Sequence, residues 1–131
     1  INRYMFEVKS KGRMKLEARF VDLMEEYLDG KLVIAAVTQP MMKELGIDPS
    51  DLEGMAPLTI QMEGTEVGIL IREREPGVYK CSFRSADSVN VSSICLTLGG
   101  GGHAKAAGCT IEGDLDAAKK TLIEAVRGAL E

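Results

Sequence analysis

Hydrophobic positions along the chain change period several times, and each change marks an element. From residue 14 to 28 the period is helical: Phe20, Leu23, Met24 and Tyr27 fall at i, i+3, i+4 and i+7. Glu17, Asp22, Glu25 and Glu26 are left for solvent, and Asp29-Gly30 supplies a stop. Residues 2–13 are charged without an apolar stripe, which predicts a linker or the tail of a preceding helix. Residues 31–38 (KLVIAAVT) are almost continuously apolar, the pattern of a strand covered on both faces. Pro40 ends that run and opens a short helix to Leu45. The cluster Asp48-Pro49-Ser50-Asp51 predicts a second helix, from about residue 51 to 62, with Pro57 in its middle.

Residues 66–75 and 78–85 read as strands joined at Pro76-Gly77, which predicts an antiparallel hairpin. Asn90 leads a helix over 91–98, and Gly99-Gly100-Gly101-Gly102 follows as a loop. A short strand over 108–112 and a last helix capped by Asp114 complete the chain. Leu115, Ala118, Leu122, Val126 and Ala129 form that helix's expected buried stripe. Strands interspersed with helices give an α/β fold: one domain, a mixed sheet with an antiparallel hairpin, helices packed on it.

Composition narrows the function classes. At 131 residues the chain buries roughly two-thirds of its unfolded surface, enough for one core. Tryptophan is absent and seven methionines help fill an aliphatic interior. The net charge of −4 argues against broad wrapping of duplex nucleic acid, while leaving room for a local basic pocket. Cys81, Cys95 and Cys109 have no C-x-x-C spacing and read as reduced, buried thiols of a cytoplasmic protein. No signal peptide or membrane-length run is legible, and no membrane partner is expected. Because the first residue is Ile1, the chain is expected to be a piece of something longer.

One constellation carries chemistry. Four glycines run into His103, the one histidine of the chain. Bare N–H groups beside an imidazole suit an anion. Arg84 and Ser85 end the hairpin, and Asn90 opens the helix that leads to the glycines, so the path can fold both parts onto one rim. Alone, Arg84 reads as a strand-edge arginine paired with a carboxylate, and His103 as a solvated histidine; together with the glycines they read as a site. A phosphate loop with Gly-Lys-Ser/Thr is excluded because Lys105 lies between alanines. Gly99, Gly101 and Ala104 fit the dinucleotide fingerprint formally, but no full βαβ unit precedes them. A single histidine leaves no metal-ligand cluster, and Ser85, His103 and Asp87 make a triad only on paper. Binding is thus expected of this chain rather than catalysis.

The strings Ser82-Phe83-Arg84-Ser85, Val89-Asn90-Val91 and Leu98 through Cys109 (LGGGGHAKAAGC) resemble the C-terminal, DHH-associated substrate-binding domain of the DHH phosphoesterases. The pattern is nearest the bacterial oligoribonucleases that also dephosphorylate adenosine 3′,5′-bisphosphate, sometimes labelled exopolyphosphatase-related. Asp51-Leu52-Glu53-Gly54 and residues 66–73 share that family's rhythm. The resemblance implies a linker tail over 1–13 and a substrate-binding domain over 14–131. It also implies an N-terminal domain of the same chain, bearing Asp-His-His and manganese, that performs the hydrolysis. This chain has neither that motif nor a cofactor of its own, so it is expected to be inactive alone and its parent a hydrolase. Arg84, Ser85, Asn90, Gly100, Gly101, Gly102, His103 and Lys105 match the family's substrate-contacting positions. The implied guest is short single-stranded RNA or a nucleoside 3′,5′-bisphosphate. Homodimerisation, preferred substrate and polarity of digestion stay open.

Two details temper that picture. Met55-Ala56-Pro57-Leu58 is more apolar than base stacking there would need, and Arg72, Arg74, Lys80 and Lys105 form only a modest basic neighbourhood. The alternative is an RNA-binding appendage of the kind found in alanyl-tRNA synthetases.

Overall fold

A computed structural model describes residues 10–131. One six-stranded mixed sheet organises them, with helices on both faces. Helix α1 (Lys11–Asp22) is capped by the Ser10 side chain, which accepts from the Arg13 N–H. Strand β1 (Met24–Tyr27) turns antiparallel into β2 (Leu32–Val37). Helices α2 (Gln39–Leu45) and α3 (Pro49–Glu53) and a 310 turn (Ala56–Ile60) cross over to β3 (Val67–Glu75), parallel to β2. Strand β4 (Val78–Ser85) pairs antiparallel with β3. Helix α4 (Val91–Thr97), strands β5 (Gly101–His103) and β6 (Ala106–Glu112) and helix α5 (Leu115–Leu130) complete the chain. The strand order is β1-β2-β3-β4-β6-β5.

Several expectations change. The helix predicted over residues 14–28 starts earlier, at Lys11, and stops at Asp22. Residues 11–13, read as linker, are therefore its first turn, while residues 1–9 of that linker lie outside the described residues. Met24 and Tyr27 would share a face in a helix. In β1 they point to opposite sides, and each joins a different apolar cluster. The helix expected over 51–62 splits at Gly54 because Pro57 brings no N–H to carry an α-helix onward. Part of the glycine loop is strand β5. Ala129 is exposed, and Leu130 is the residue that packs.

The two sheet faces are dressed differently. On one, Leu32, Ile34, Ile69, Phe83 and neighbours are sealed by α4 and α5 through Val91, Ile94, Leu122 and Val126. On the other, Ala35, Val37 and Leu70 lie under Phe20, Leu52, Met55 and Ala56 from α1, α3 and the 310 turn. Met55 and Ala56 are thus core residues, which accounts for the apolar stretch noted in the sequence. The second covering reaches β1 to β3; beyond it the face of β4, β6 and β5 holds two open depressions.

Cys81 and Cys109 face one another across β4 and β6, and Cys95 joins their cluster from α4. All three are free and buried. S–H bonding to Cys109, together with burial, pushes the Cys81 and Cys95 thiols up, and the same bonds pull Cys109 down. Among the described residues no helix is long and apolar enough to cross a membrane.

Candidate functional site

Strand β4 alternates strictly. Tyr79, Cys81, Phe83 and Ser85 are buried on one side, while Lys80, Ser82 and Arg84 stand half-buried on the other. Register carries that side outward. Arg84 lies opposite Ala106 of β6, and Ala106 lies opposite His103 of β5. Arg84 and His103 therefore occupy one row of one face, two strand spacings or about 10 Å apart. The next row reads Ser82, Gly108, Gly101, and the next Lys80, Thr110. Between Arg84 and His103 the floor is Ala106, bordered in the next row by Gly108 and Gly101, nearly naked peptide.

Close packing demands glycine at two of these positions. A Cβ on Gly100 would stand 2.0 Å from the Gly108 carbonyl oxygen, and one on Gly102 2.6 Å from the Ala107 Cα. Those two let β5 lie close on β6. At Gly101 the nearest atom would be Leu96 Cδ2 at 3.8 Å, so packing does not demand glycine there. The β5–β6 turn is pinned by two backbone bonds: Ser85 N–H donates to the Lys105 carbonyl at 3.0 Å, and Val91 N–H to the Ala104 carbonyl at 2.9 Å.

The predicted residues separate accordingly. Arg84, Gly101 and Gly102 line one depression and Gly100 the adjoining one, while His103 lines neither and is joined to Arg84 by register alone. Lys105 sits at the turn tip, 3.9 Å from Asp87, both exposed. Ser85 does not join Arg84: its side chain stands on the opposite face, 3% exposed, with an unpartnered hydroxyl. Asn90 caps α4 by accepting from Ser93 N–H at 3.2 Å and lines a separate depression with Glu66, Ser88 and Leu130. Neighbouring residues in sequence thus diverge because a strand alternates sides and a cap points along its helix.

Sequence reasoning names Glu53 within Asp51-Leu52-Glu53-Gly54 but gives it no role. It ends α3 and leans over the face, where Ser82 Oγ donates to its carboxylate at 2.9 and 3.2 Å. Lys80 Nζ stands 3.4 Å and Arg72 Nε 3.9 Å from the same carboxylate. The Arg72 Nε is buried and makes no hydrogen bond. A carboxylate at a helix end is ordinarily solvated, so only the crossover that swings α3 over β4 could reveal it. The two depressions, of about 300 and 410 Å³, meet at Lys80 and Gly108. A bulge between Glu73 and Glu75 shifts the register at Arg74, which lines the far one. Among the described residues no group of three or more His, Cys, Asp or Glu is placed to hold a metal.

A sheet face edged by Arg74, Lys80 and Arg84 thus lies open beside a covered one. The DHHA1 domain model matches residues 29–128, and the chain belongs to that family, the DHHA1 domain of DHH phosphoesterases. It is 42% identical over 95 residues to the bifunctional oligoribonuclease and PAP phosphatase NrnA of Thermus thermophilus, spanning 72% of this chain and 29% of that protein. An exopolyphosphatase-related protein from Bacteroides fragilis superposes with a TM-score of 0.81 at 20% identity, over 97% of this chain and 37% of its own. The pGpG-specific phosphodiesterase PggH of Vibrio cholerae follows with a TM-score of 0.63 at 19% identity, over 91% and 40%. The chain therefore spans well under half the length of each of these relatives.

Proposed function

We propose that this chain is the substrate-binding half of a metal-dependent phosphoesterase acting on short oligoribonucleotides or nucleoside 3′,5′-bisphosphates. The observation that carries the reading is the shared row of Arg84 and His103 flanking a glycine–alanine floor. Arg84 offers a planar fork to a phosphate, and His103 offers a ring N–H from the other side. Gly101 leaves room for a sugar–phosphate backbone to lie on the peptide itself. The 42%-identical relative, named for both activities, supports this guest over the synthetase appendage.

Hydrolysis belongs to a DHH domain of the parent protein. When bound there, manganese would supply an activated water to phosphorus. This chain's residues hold the phosphate and exclude water as the two halves close on it. They do not cleave.

The test is calorimetric. Titrating the chain with adenosine 3′,5′-bisphosphate should show weak, saturable binding and no turnover. Arg84→Ala should weaken it roughly 10- to 100-fold, the loss of a charge-assisted contact worth about 1.5–3 kcal/mol. Equal affinity in parent and variant overturns the assignment of Arg84.

A further inference from the structure

The Glu53 carboxylate is out of character with its surroundings. Among the residues lining the two depressions it is the single acid, set among Arg74, Lys80 and Arg84. Its side chain keeps 28% exposure, so it remains open to a guest while fastened from below by Ser82, Lys80 and Arg72. Ser82 lies midway along β4 between Lys80 and Arg84. The carboxylate thus interrupts what would otherwise be an unbroken cationic strip.

We infer that Glu53 is the specificity-determining residue of this face: it accepts a hydrogen bond from a neutral donor of the nucleotide, and it repels guests that are phosphate throughout. This rests on the anion-binding reading above and deepens it. A ribose hydroxyl and a base N–H are the two donors a nucleotide carries between its phosphates, and a fixed carboxylate suits either. A chain of bare phosphates has no such donor. It would bring a negative charge to within a few ångströms of Glu53, where attraction from Lys80 and Arg84 is offset. Discrimination therefore comes from one repulsive element inside an attractive field. Were Glu53 only a clasp holding α3 to β4, its removal would loosen the fold and leave relative affinities alone.

The experiment compares four probes on the 131-residue chain: a 5′-phosphorylated diribonucleotide, its deoxyribose counterpart, tripolyphosphate and adenosine 3′,5′-bisphosphate. Each is titrated into the parent, Glu53→Gln, Glu53→Ala and Arg84→Ala, with melting temperature recorded throughout. The parent should prefer the diribonucleotide to tripolyphosphate by about tenfold or more. Glu53→Gln should raise affinity for tripolyphosphate about tenfold and bring the two guests to within a few-fold of each other. A loss of preference confined to the ribose form marks the sugar hydroxyl as donor, and a loss in both forms marks the base. If Glu53→Gln and Glu53→Ala lower the melting temperature but leave the probe ratio unchanged, Glu53 is a clasp and the inference is overturned. If no probe binds in an Arg84-dependent way, the proposed function fails first and takes this inference with it.

Discussion

At the scale of single residues, the glycine run contains two kinds of position that stability and binding should tell apart. Gly100 is packed against backbone. Gly100→Ala should cost about 1–3 kcal/mol, as overpacking does, and a denaturant titration reads it directly. Gly101→Ala has space for its methyl and should stay within about 0.5 kcal/mol of the parent. Its methyl would rise from the floor in the row of Ser82 and Gly108, so nucleotide affinity should drop although the fold does not. Equal stability for the two variants would contradict this division. In the sequence all four glycines look alike, because only register across β5 and β6 says which of them has a neighbour underneath. Register likewise puts Arg84 and His103 in one row of one face, and it separates them from the adjacent Ser85. Strand alternation sends it to the other face, and nothing in the local string Phe83-Arg84-Ser85 says which face is open.

At the scale of elements, pattern and position compete. Strands β2 and β4 and helix α5 follow the hydrophobic pattern, since each presents a buried face long enough to set its period. Strand β3 departs from it: residues 67–71 are buried on both sides rather than alternately. Strand β1 was read as helix because four residues spaced for one face of a helix can equally divide between two faces of a strand. Its place at the sheet edge, with Glu25 and Glu26 exposed, is set by pairing with β2. That edge is tied to α5: Tyr27 Oη donates to Glu25 at 2.9 Å, and Lys119 Nζ to the same carboxylate at 3.1 Å. Burial first, then the neighbouring Glu25, pushes Tyr27 from 10.0 up to about 12. A tyrosine held neutral by the fold contributes stability that is present below its ordinary value and lost as pH rises through the raised one. Stability should therefore decline between pH 10 and 12, and Tyr27→Phe should flatten that decline in urea titrations at stepped pH. Hydrogen bonds from Tyr27 and Lys119 hold Glu25 below its usual range. Its share is present above the ordinary carboxylate value and disappears as pH falls through the lowered one, so Glu25→Gln should flatten the acid limb. An unchanged profile in both variants would detach β1 from this account. Cys81 of β4 and Cys95 of α4 are fully covered. A thiol reagent should leave both unmodified in the native chain and label both in denaturant, as mass spectrometry would report.

At the scale of the whole molecule, a net charge of −4 coexists with a locally positive strip of Arg72, Arg74, Lys80 and Arg84, interrupted by Glu53. Overall composition could exclude wrapping of long duplexes, but it could not show that the cations gather on one sheet face. That gathering needs β3 and β4 paired in register and β5 and β6 folded back beside them. In the reading proposed above few cations touch the guest, so affinity for a short oligoribonucleotide should fall gently with salt. A log–log slope of about −2 is expected for two or three phosphate contacts to a single strand. One face of the molecule is thus sealed by α4 and α5, while the other is covered over β1 to β3 and open over β4, β6 and β5, where the proposed function puts the anion. The most direct measurement is amide chemical-shift mapping of the chain titrated with adenosine 3′,5′-bisphosphate. Perturbations should concentrate at Lys80, Ser82, Arg84 and residues 101–108, sparing the depression around Asn90 and Leu130. Shifts gathered around Asn90 and Leu130 instead, or spread evenly over the surface, would contradict the account.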